Sequence, residues 1–269
     1  VVTKLPEASI VPGRTLHPEL DAGLLTRKAV RAYAPVRIFA LFSGGHDSSV
    51  LVDWASSALA DKLDAAVFVD TGTALPGVTD FVHGFCARRG LRLLVYSAPH
   101  CEYSRMVRAH GFPGPAAHRF AYTRLKERQV DALVREHKTA ARDRVMLLTG
   151  VRRSESARRM GSVEPVRRDG SQVWVAPLIT WTRDDIRAYR ENYGVEESDV
   201  AALLHRSGEC NCGAFAAAGE REELRSLYPA WWSRRMAPLE RVTGQRWGER
   251  PNGVRGRSPG ALCSDCGAS

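Results

Sequence analysis

Phe42-Ser43-Gly44-Gly45-His46-Asp47-Ser48-Ser49 decides how this chain folds. The apolar run before it, Val36-Arg37-Ile38-Phe39-Ala40-Leu41, reads as a buried strand, and Val50-Leu51-Val52-Asp53-Trp54-Ala55 after it reads as the opening of a helix. A strand, a glycine turn and a helix N-terminus together bind anions. Gly44 and Gly45 let the backbone approach closely, and the first free N–H groups of the helix point at the ligand. Ser48 and Ser49 can add hydroxyl donors. Two glycines alone would suit any tight turn; the full Ser-Gly-Gly-x-Asp-Ser string at a strand-to-helix junction points to a phosphate.

Working outward, Ala65-Ala66-Val67-Phe68-Val69 predicts a second strand that ends in Asp70-Thr71-Gly72, and residues 91–96 predict a third. Val145-Met146-Leu147-Leu148 predicts a fourth, ending in Thr149-Gly150. Residues 172–176 predict a fifth, behind a hairpin turn at Arg167-Arg168-Asp169-Gly170. Helical spacing marks residues 17–34, 78–89, 122–137 and 182–193, the last capped by Thr182, and 98–117 reads as a loop with a short helix. Strands alternating with helices predict an α/β fold with a doubly wound, mainly parallel, Rossmann-like sheet. Ligands of such sheets sit at the C-terminal strand ends. Both the glycine loop and Asp70 fall there.

The chain has 269 residues, enough for one large domain or one domain with a smaller appendage. No apolar run approaches the roughly 18–20 residues of a membrane helix, and Val1 to Arg14 has no signal-peptide core, so a cytoplasmic protein is expected. The net charge of +9 points to a polyanionic partner or an anionic substrate, with a basic solvated surface as the alternative. Six cysteines without a secretion signal suggest metal or redox chemistry rather than disulfides. Cys210-Asn211-Cys212 and Cys263-Ser264-Asp265-Cys266 offer four soft ligands in two close pairs, which suits a tetrahedral zinc or a [4Fe–4S] cluster equally. Cys86 lies among apolar helix positions and reads as core. Cys101 is open: a free thiol, or a nucleophile carrying persulfide sulfur. Arg152, Arg153, Arg158 and Arg159 follow the fourth strand, where some of them would neutralise phosphates bidentately, with a solvated face as the alternative.

The loop resembles the PP-loop of the adenine nucleotide alpha-hydrolase superfamily, and the chain more narrowly resembles the phosphoadenosine phosphosulfate (PAPS) reductase family. Four further stretches are similar in the family's order: Val69-Asp70-Thr71-Gly72, Arg124-Leu125-Lys126, Gly150-Val151-Arg152-Arg153-Ser154-Glu155-Ser156, and Pro177-Leu178-Ile179-Thr180-Trp181-Thr182 with Asp185-Ile186. The likeness covers roughly residues 36–215. Composition divides the chain into three expected regions: an N-terminal arm and helix over 1–35, a domain over 36–206 that the likeness makes a PP-loop nucleotide-binding domain, and, where the texture turns to Gly, Cys, Trp and Arg, a small appendage over 207–269. The likeness implies a nucleotide site built from Ser43, Gly44, Gly45, Asp47, Ser48 and Ser49, completed by Asp70, Thr71, Gly72, Gly150, Arg152, Arg153 and Arg158. Asp47, Asp70, Arg152 and Arg153 would be catalytic, the carboxylates placing Mg²⁺ with ATP or simply shaping the turns. The family tilts the Cys210, Cys212, Cys263, Cys266 set towards [4Fe–4S] over Zn²⁺. Trp181 is expected in the core rather than stacked on a base.

Two departures redirect the expected activity. His118-Arg119-Phe120-Ala121-Tyr122-Thr123 lacks the Cys-Cys pair that cluster-bearing adenylylsulfate reductases place before the central helix, and Cys266-Gly267-Ala268-Ser269 differs from the family's Cys-Gly-(Ile/Leu)-His tail. Both fit relatives that activate nucleic acid for sulfur insertion. The expectation is an ATP pyrophosphatase that adenylylates a nucleic acid, DNA ahead of RNA, as in DNA phosphorothioation. A sulfur donor such as a cysteine desulfurase and other proteins of a modification complex would be partners, with no membrane. The alternative is a PAPS or adenylylsulfate reductase; a third reading is a binding module with structural zinc. Arg234, Arg235, Arg241, Arg246, Arg250, Arg255 and Arg257, interleaved with Trp231, Trp232 and Trp247, would track a nucleic-acid backbone or form a solvated face with aromatic anchors.

Overall fold

The computed structural model describes residues 17–155 and 163–249. Strands β1 (Arg37–Leu41), β2 (Ala65–Asp70), β3 (Leu93–Ser97), β4 (Val145–Leu148), β5 (Val166–Asp169) and β6 (Gln172–Val175) form one sheet in the order β3-β2-β1-β4-β6-β5. All neighbours pair in parallel except β5 and β6, which are antiparallel. Phe39 of β1 sits opposite Ala65 on one side and Leu147 on the other. These strands are continuous apolar runs because both faces of a parallel sheet are covered.

Alternation along the strands sends each residue to one of two cores. Ile38, Ala40, Phe68, Met146 and Leu148 point into the larger one. There they meet α1 (Pro18–Tyr33), α2 (His46–Leu59), α3 (Val78–Arg88) and α4 (Glu102–His110), through residues such as Ala29, Trp54, Phe85 and Met106. Phe39, Leu41, Val67, Val69 and Leu147 point the other way, against Val130, Leu133 and Val134. The expected helix over 122–137 is composite: α5 (His118–Tyr122), a π turn (Thr123–Glu127) and α6 (Arg128–Glu136) run without a break. α7 (Arg183–Tyr193) starts at the predicted Thr182, whose hydroxyl accepts the Asp185 N–H at 3.1 Å while the Asp185 carboxylate accepts the Thr182 N–H at 2.8 Å. This reciprocal pair satisfies two of the helix's orphan donors.

The stretch expected as a hairpin turn is itself an edge strand, β5, and the turn falls at Gly170-Ser171. Arg167, Arg168 and Asp169 are all exposed, so no apolar alternation betrays the strand. After α8 (Asp199–Leu204), residues 207–249 share the larger core. They include α9 (Glu220–Leu227), α10 (Pro229–Arg235) and α11 (Ala237–Thr243). Trp231, Trp232 and Trp247 are 7%, 4% and 2% exposed. Trp231 Nε1 donates to the Ala74 carbonyl at 3.0 Å and Trp247 Nε1 to the Asn211 carbonyl at 3.0 Å. They are buried aromatic anchors of the larger core, one of the two readings open for this stretch. Arg250, Arg255, Arg257, Cys263 and Cys266 lie outside the described residues. Among the described residues no helix is long and apolar enough to cross a membrane.

Candidate functional site

Strand order reverses between β1 and β4, and in a doubly wound sheet the crevice at that point receives the ligand. A cavity of about 320 Å³ opens there. Its walls are the loop after β1 (Ser43, Gly45, His46, Asp47, Ser48), the loop after β4 (Thr149 to Arg152), Val67 and Val69 of β2, and Lys126. Arg183, Ile186, Arg187 and Arg190 of α7 and the 205–209 segment close it.

The loop after β1 is held by its own hydroxyl network. Ser48 Oγ donates to the Gly45 carbonyl at 3.0 Å, accepts the Ser43 N–H at 3.3 Å and lies 3.0 Å from Ser43 Oγ. Ser48 therefore shapes the turn. Gly44 takes φ +81°, a conformation that suits glycine. Its missing side chain leaves Val82 room, since a Cβ there would stand 3.3 Å from that valine. Gly44 packs against α3 and Ser49 is buried within α2, so neither lines the cavity. The opening amides of α2 have no acceptor one turn back within the helix, and with the helix dipole they attract an anion at this wall.

The two loops are locked together by charge. Arg152 Nε donates to Asp47 Oδ2 at 2.8 Å, and its NH1 donates to Ser154 Oγ at 2.9 Å. Ser154 Oγ in turn donates to the Trp181 carbonyl at 2.9 Å. Arg152 is only 7% exposed. Asp47 is thus first the partner of Arg152. Gly150 permits the approach: a Cβ there would lie 3.0 Å from the Asp47 carbonyl carbon and 3.1 Å from the Ser48 nitrogen. Gly150→Ala is expected to push the loops apart at a cost of about 1–3 kcal/mol. Nucleotide affinity should then fall by roughly 10-fold or more with the circular dichroism spectrum unchanged, as a nucleotide titration of both proteins will show.

Other expected site residues stand elsewhere. Asp70 Oδ1 accepts the Gly72 N–H at 2.9 Å, and buried Thr71 donates to the Glu209 carbonyl at 2.9 Å. Neither these two nor Gly72 lines the cavity. Thr71 and Thr73 instead hold the 207–211 segment, with Asn211 donating to Thr73 Oγ1 and to the Thr73 carbonyl at 2.9 and 2.8 Å. Arg153 is off the cavity wall, its amide bonded to the Ile179 carbonyl at 3.0 Å, and Arg158 lies outside the described residues. Trp181 is in the core, with Nε1 donating to the Pro18 carbonyl at 3.1 Å.

Three features of the wall were not assigned to the site from the sequence. Lys126, on the π turn, makes a 2.9 Å ion pair with Glu209, and both side chains are 5% exposed. Arg183, Arg187 and Arg190 recur at helical spacing, a signal present in the sequence. His46 Nε2 bonds the Glu197 carboxylate, which also pairs with Arg190 at 2.9 Å. Burial pushes the Glu197 carboxyl up, but Arg190 and His46 outweigh it and hold it below the ordinary range.

Cys210 sits in the segment held by Thr71 and Thr73, and Cys212 directly follows it. Tyr103 Oη donates to the Cys212 carbonyl at 2.9 Å. Burial, then the two neighbouring thiols, push the Tyr103 phenol well up. Among the described residues no group of three or more His, Cys, Asp or Glu side chains could hold a metal ion. The described thiols supply two of the four ligands expected, Cys263 and Cys266 lying outside. Cys86 is buried, which pushes its thiol up to about 11 against a smaller opposing effect of Arg89. Cys101 is exposed at the start of α4.

The model of the phosphoadenosine phosphosulfate reductase domain matches residues 37–201, more than half of the chain. Among solved structures, the phosphate complex of phosphoadenylyl-sulfate (PAPS) reductase from Candida auris superposes with a TM-score of 0.52 at 19% identity, over 69% of this chain and 86% of that one. FMN adenylyltransferase from Candida glabrata superposes with a TM-score of 0.50 at 14% identity, over 71% of this chain and 59% of that one. At such identities the likeness establishes the fold. No curated protein matches the sequence. By the family match, and by a sheet and glycine loop that agree with it, the chain belongs to the phosphoadenosine phosphosulfate reductase domain family, within the PP-loop superfamily.

Proposed function

We propose that this chain is a cytoplasmic adenine nucleotide enzyme, an ATP pyrophosphatase that adenylylates a nucleic acid for sulfur incorporation, as in DNA phosphorothioation. The observation that carries the nucleotide part is the convergence of Gly45, the first turn of α2, Gly150 and the Arg152–Asp47 pair on one cavity at the β1/β4 switch point. In this reading the phosphates of ATP lie on the opening amides of α2, and Arg152 faces the charge that develops on the departing group. An acceptor oxygen forms a bond to the α-phosphorus as the bond from that phosphorus to the β-bridging oxygen breaks, and the electron pair leaves with pyrophosphate. A sulfur nucleophile from a donor such as a cysteine desulfurase then displaces AMP. Mg²⁺, when bound with ATP, neutralises phosphate charge; Asp47 is the carboxylate on the cavity wall nearest the loop that could orient it. Cys210 and Cys212 would supply two thiolates to a [4Fe–4S] cluster or zinc, and no step passes through that group.

A second reading, reduction of PAPS or adenylylsulfate, is favoured by the family itself. The two separate cleanly. The protein with Mg²⁺-ATP, with and without duplex DNA, is expected to release pyrophosphate in a coupled assay. Sulfite release from PAPS with a thiol reductant, and no pyrophosphate from ATP, would overturn the first reading in favour of the second.

A further inference from the structure

The cavity has two charged walls, and the nucleotide reading uses only one. α7, which packs against α2, forms another part of the wall. Its capping box fixes where it starts, and buried Ile186 and Tyr189 fix its rotation. Arg183, Arg187 and Arg190, at i, i+4 and i+7, therefore share the face along the cavity. Their commitments differ. Arg190 is paired with Glu197. Among the described residues Arg187 pairs only with Asp184 on its own helix, at 2.9 Å between side chains 65% and 70% exposed, an arrangement that holds a cation weakly. Arg183 pairs with no carboxylate among the described residues. On the facing segment, Arg206 also lines the cavity, paired with Glu220 at 2.7 Å.

The geometry points to a phosphodiester track: we propose that the α7 arginine row holds the backbone of the acceptor nucleic acid at the mouth of the nucleotide cavity. The row spans roughly 10 Å at 1.5 Å per residue, the axial length of about three phosphates of one strand. A single activated sulfate would engage one end and leave the other idle. The two least committed cations, Arg183 and Arg187, are also the exposed ones, where a long polyanion reaches them. The proposal rests on the reading of the cavity as a nucleotide site with a nucleic-acid acceptor.

The test uses the full chain and the double variant R183A/R187A. Anisotropy titrations with a 20-base-pair DNA duplex and with an RNA hairpin, each over a salt series, are run beside calorimetric titration with Mg²⁺-ATP. The variant is expected to bind the true acceptor type at least about 10-fold more weakly, with its log K against log salt slope reduced by about 2. R183K/R187K should restore most of that slope. ATP affinity is expected to fall by a smaller factor than polymer affinity, since both arginines line the cavity but the phosphates of ATP lie on the opening amides of α2. Loss confined to DNA or to RNA identifies the acceptor. Unchanged slopes for both polymers, or a parallel loss of ATP affinity, would overturn the proposal. Wild-type protein that binds ATP without releasing pyrophosphate refutes the proposed activity instead, and the polymer isotherms then decide the arginine track independently.

Discussion

Asp47→Ala is expected to lower ATP turnover at least about 100-fold, which corresponds to about 2.7 kcal/mol of transition-state stabilisation. Two losses combine. The carboxylate tethers Arg152 at 2.8 Å, so its removal frees the guanidinium to swing away from the phosphates. It also leaves Arg152, 9% exposed in its side chain, as a poorly compensated cation. Breaking a buried pair by removing one partner costs about 3–5 kcal/mol, and the 19% exposure of Asp47 places this case towards the lower end. Asp47→Asn keeps an acceptor for Arg152 and should recover more stability than turnover. Pyrophosphate release and urea denaturation of the three proteins measure the two effects separately. Full turnover by the alanine variant would remove the glycine loop from the reaction.

Lys126→Met should produce the largest loss of stability. Its ion pair with Glu209 is the most enclosed among the described residues, both side chains being 5% exposed. Removing one partner takes the closest counter-charge from the other in a buried setting, at about 3–5 kcal/mol, or a fall in Tm of roughly 6–20 °C for a chain of this size. Glu209→Leu alone should cost a similar amount. The double variant should regain most of the loss, since a buried ion pair replaced by apolar groups is often neutral. Thermal unfolding of the two single variants and the double one decides the matter. If the single losses simply add, the pair is not coupled. Lys126 also lines the cavity, so the double variant is expected to be stable yet impaired in turnover.

The sheet was legible because its central strands are uninterrupted apolar runs ending in glycine or Asp-Thr-Gly, and α7 was legible because Thr182 and Asp185 announce its start. β5 was not, because an exposed edge strand made of Arg167, Arg168 and Asp169 has no inward face to mark it. At the site, local chemistry was visible and long-range pairing was not. Asp47 and Arg152 were each marked as candidates, but their bond spans 105 residues of sequence. Asp70, Thr71 and Gly72 sit at the strand end where ligands bind, yet Thr71 serves the 207–211 segment from far along the chain. The same composition, tryptophan beside arginine, suits a backbone track or aromatic anchors; only the packing of α10 and α11 shows that the tryptophans are buried.

The π turn at Thr123–Glu127 gives the 118–136 rod an unusual intolerance to length. Ala121 ahead of it and Leu125 within it belong to the larger core; behind it, Val130, Leu133 and Val134 belong to the smaller one. The one extra residue of a π turn is what re-phases the rod between them. Deleting any single residue there would keep the helix and its composition. It would also rotate everything downstream by about 100°, turning Val130 and Leu133 off the sheet and carrying Lys126 away from Glu209. The two faces of the sheet are therefore coupled through a single register, and a one-residue slip on one side is felt on both.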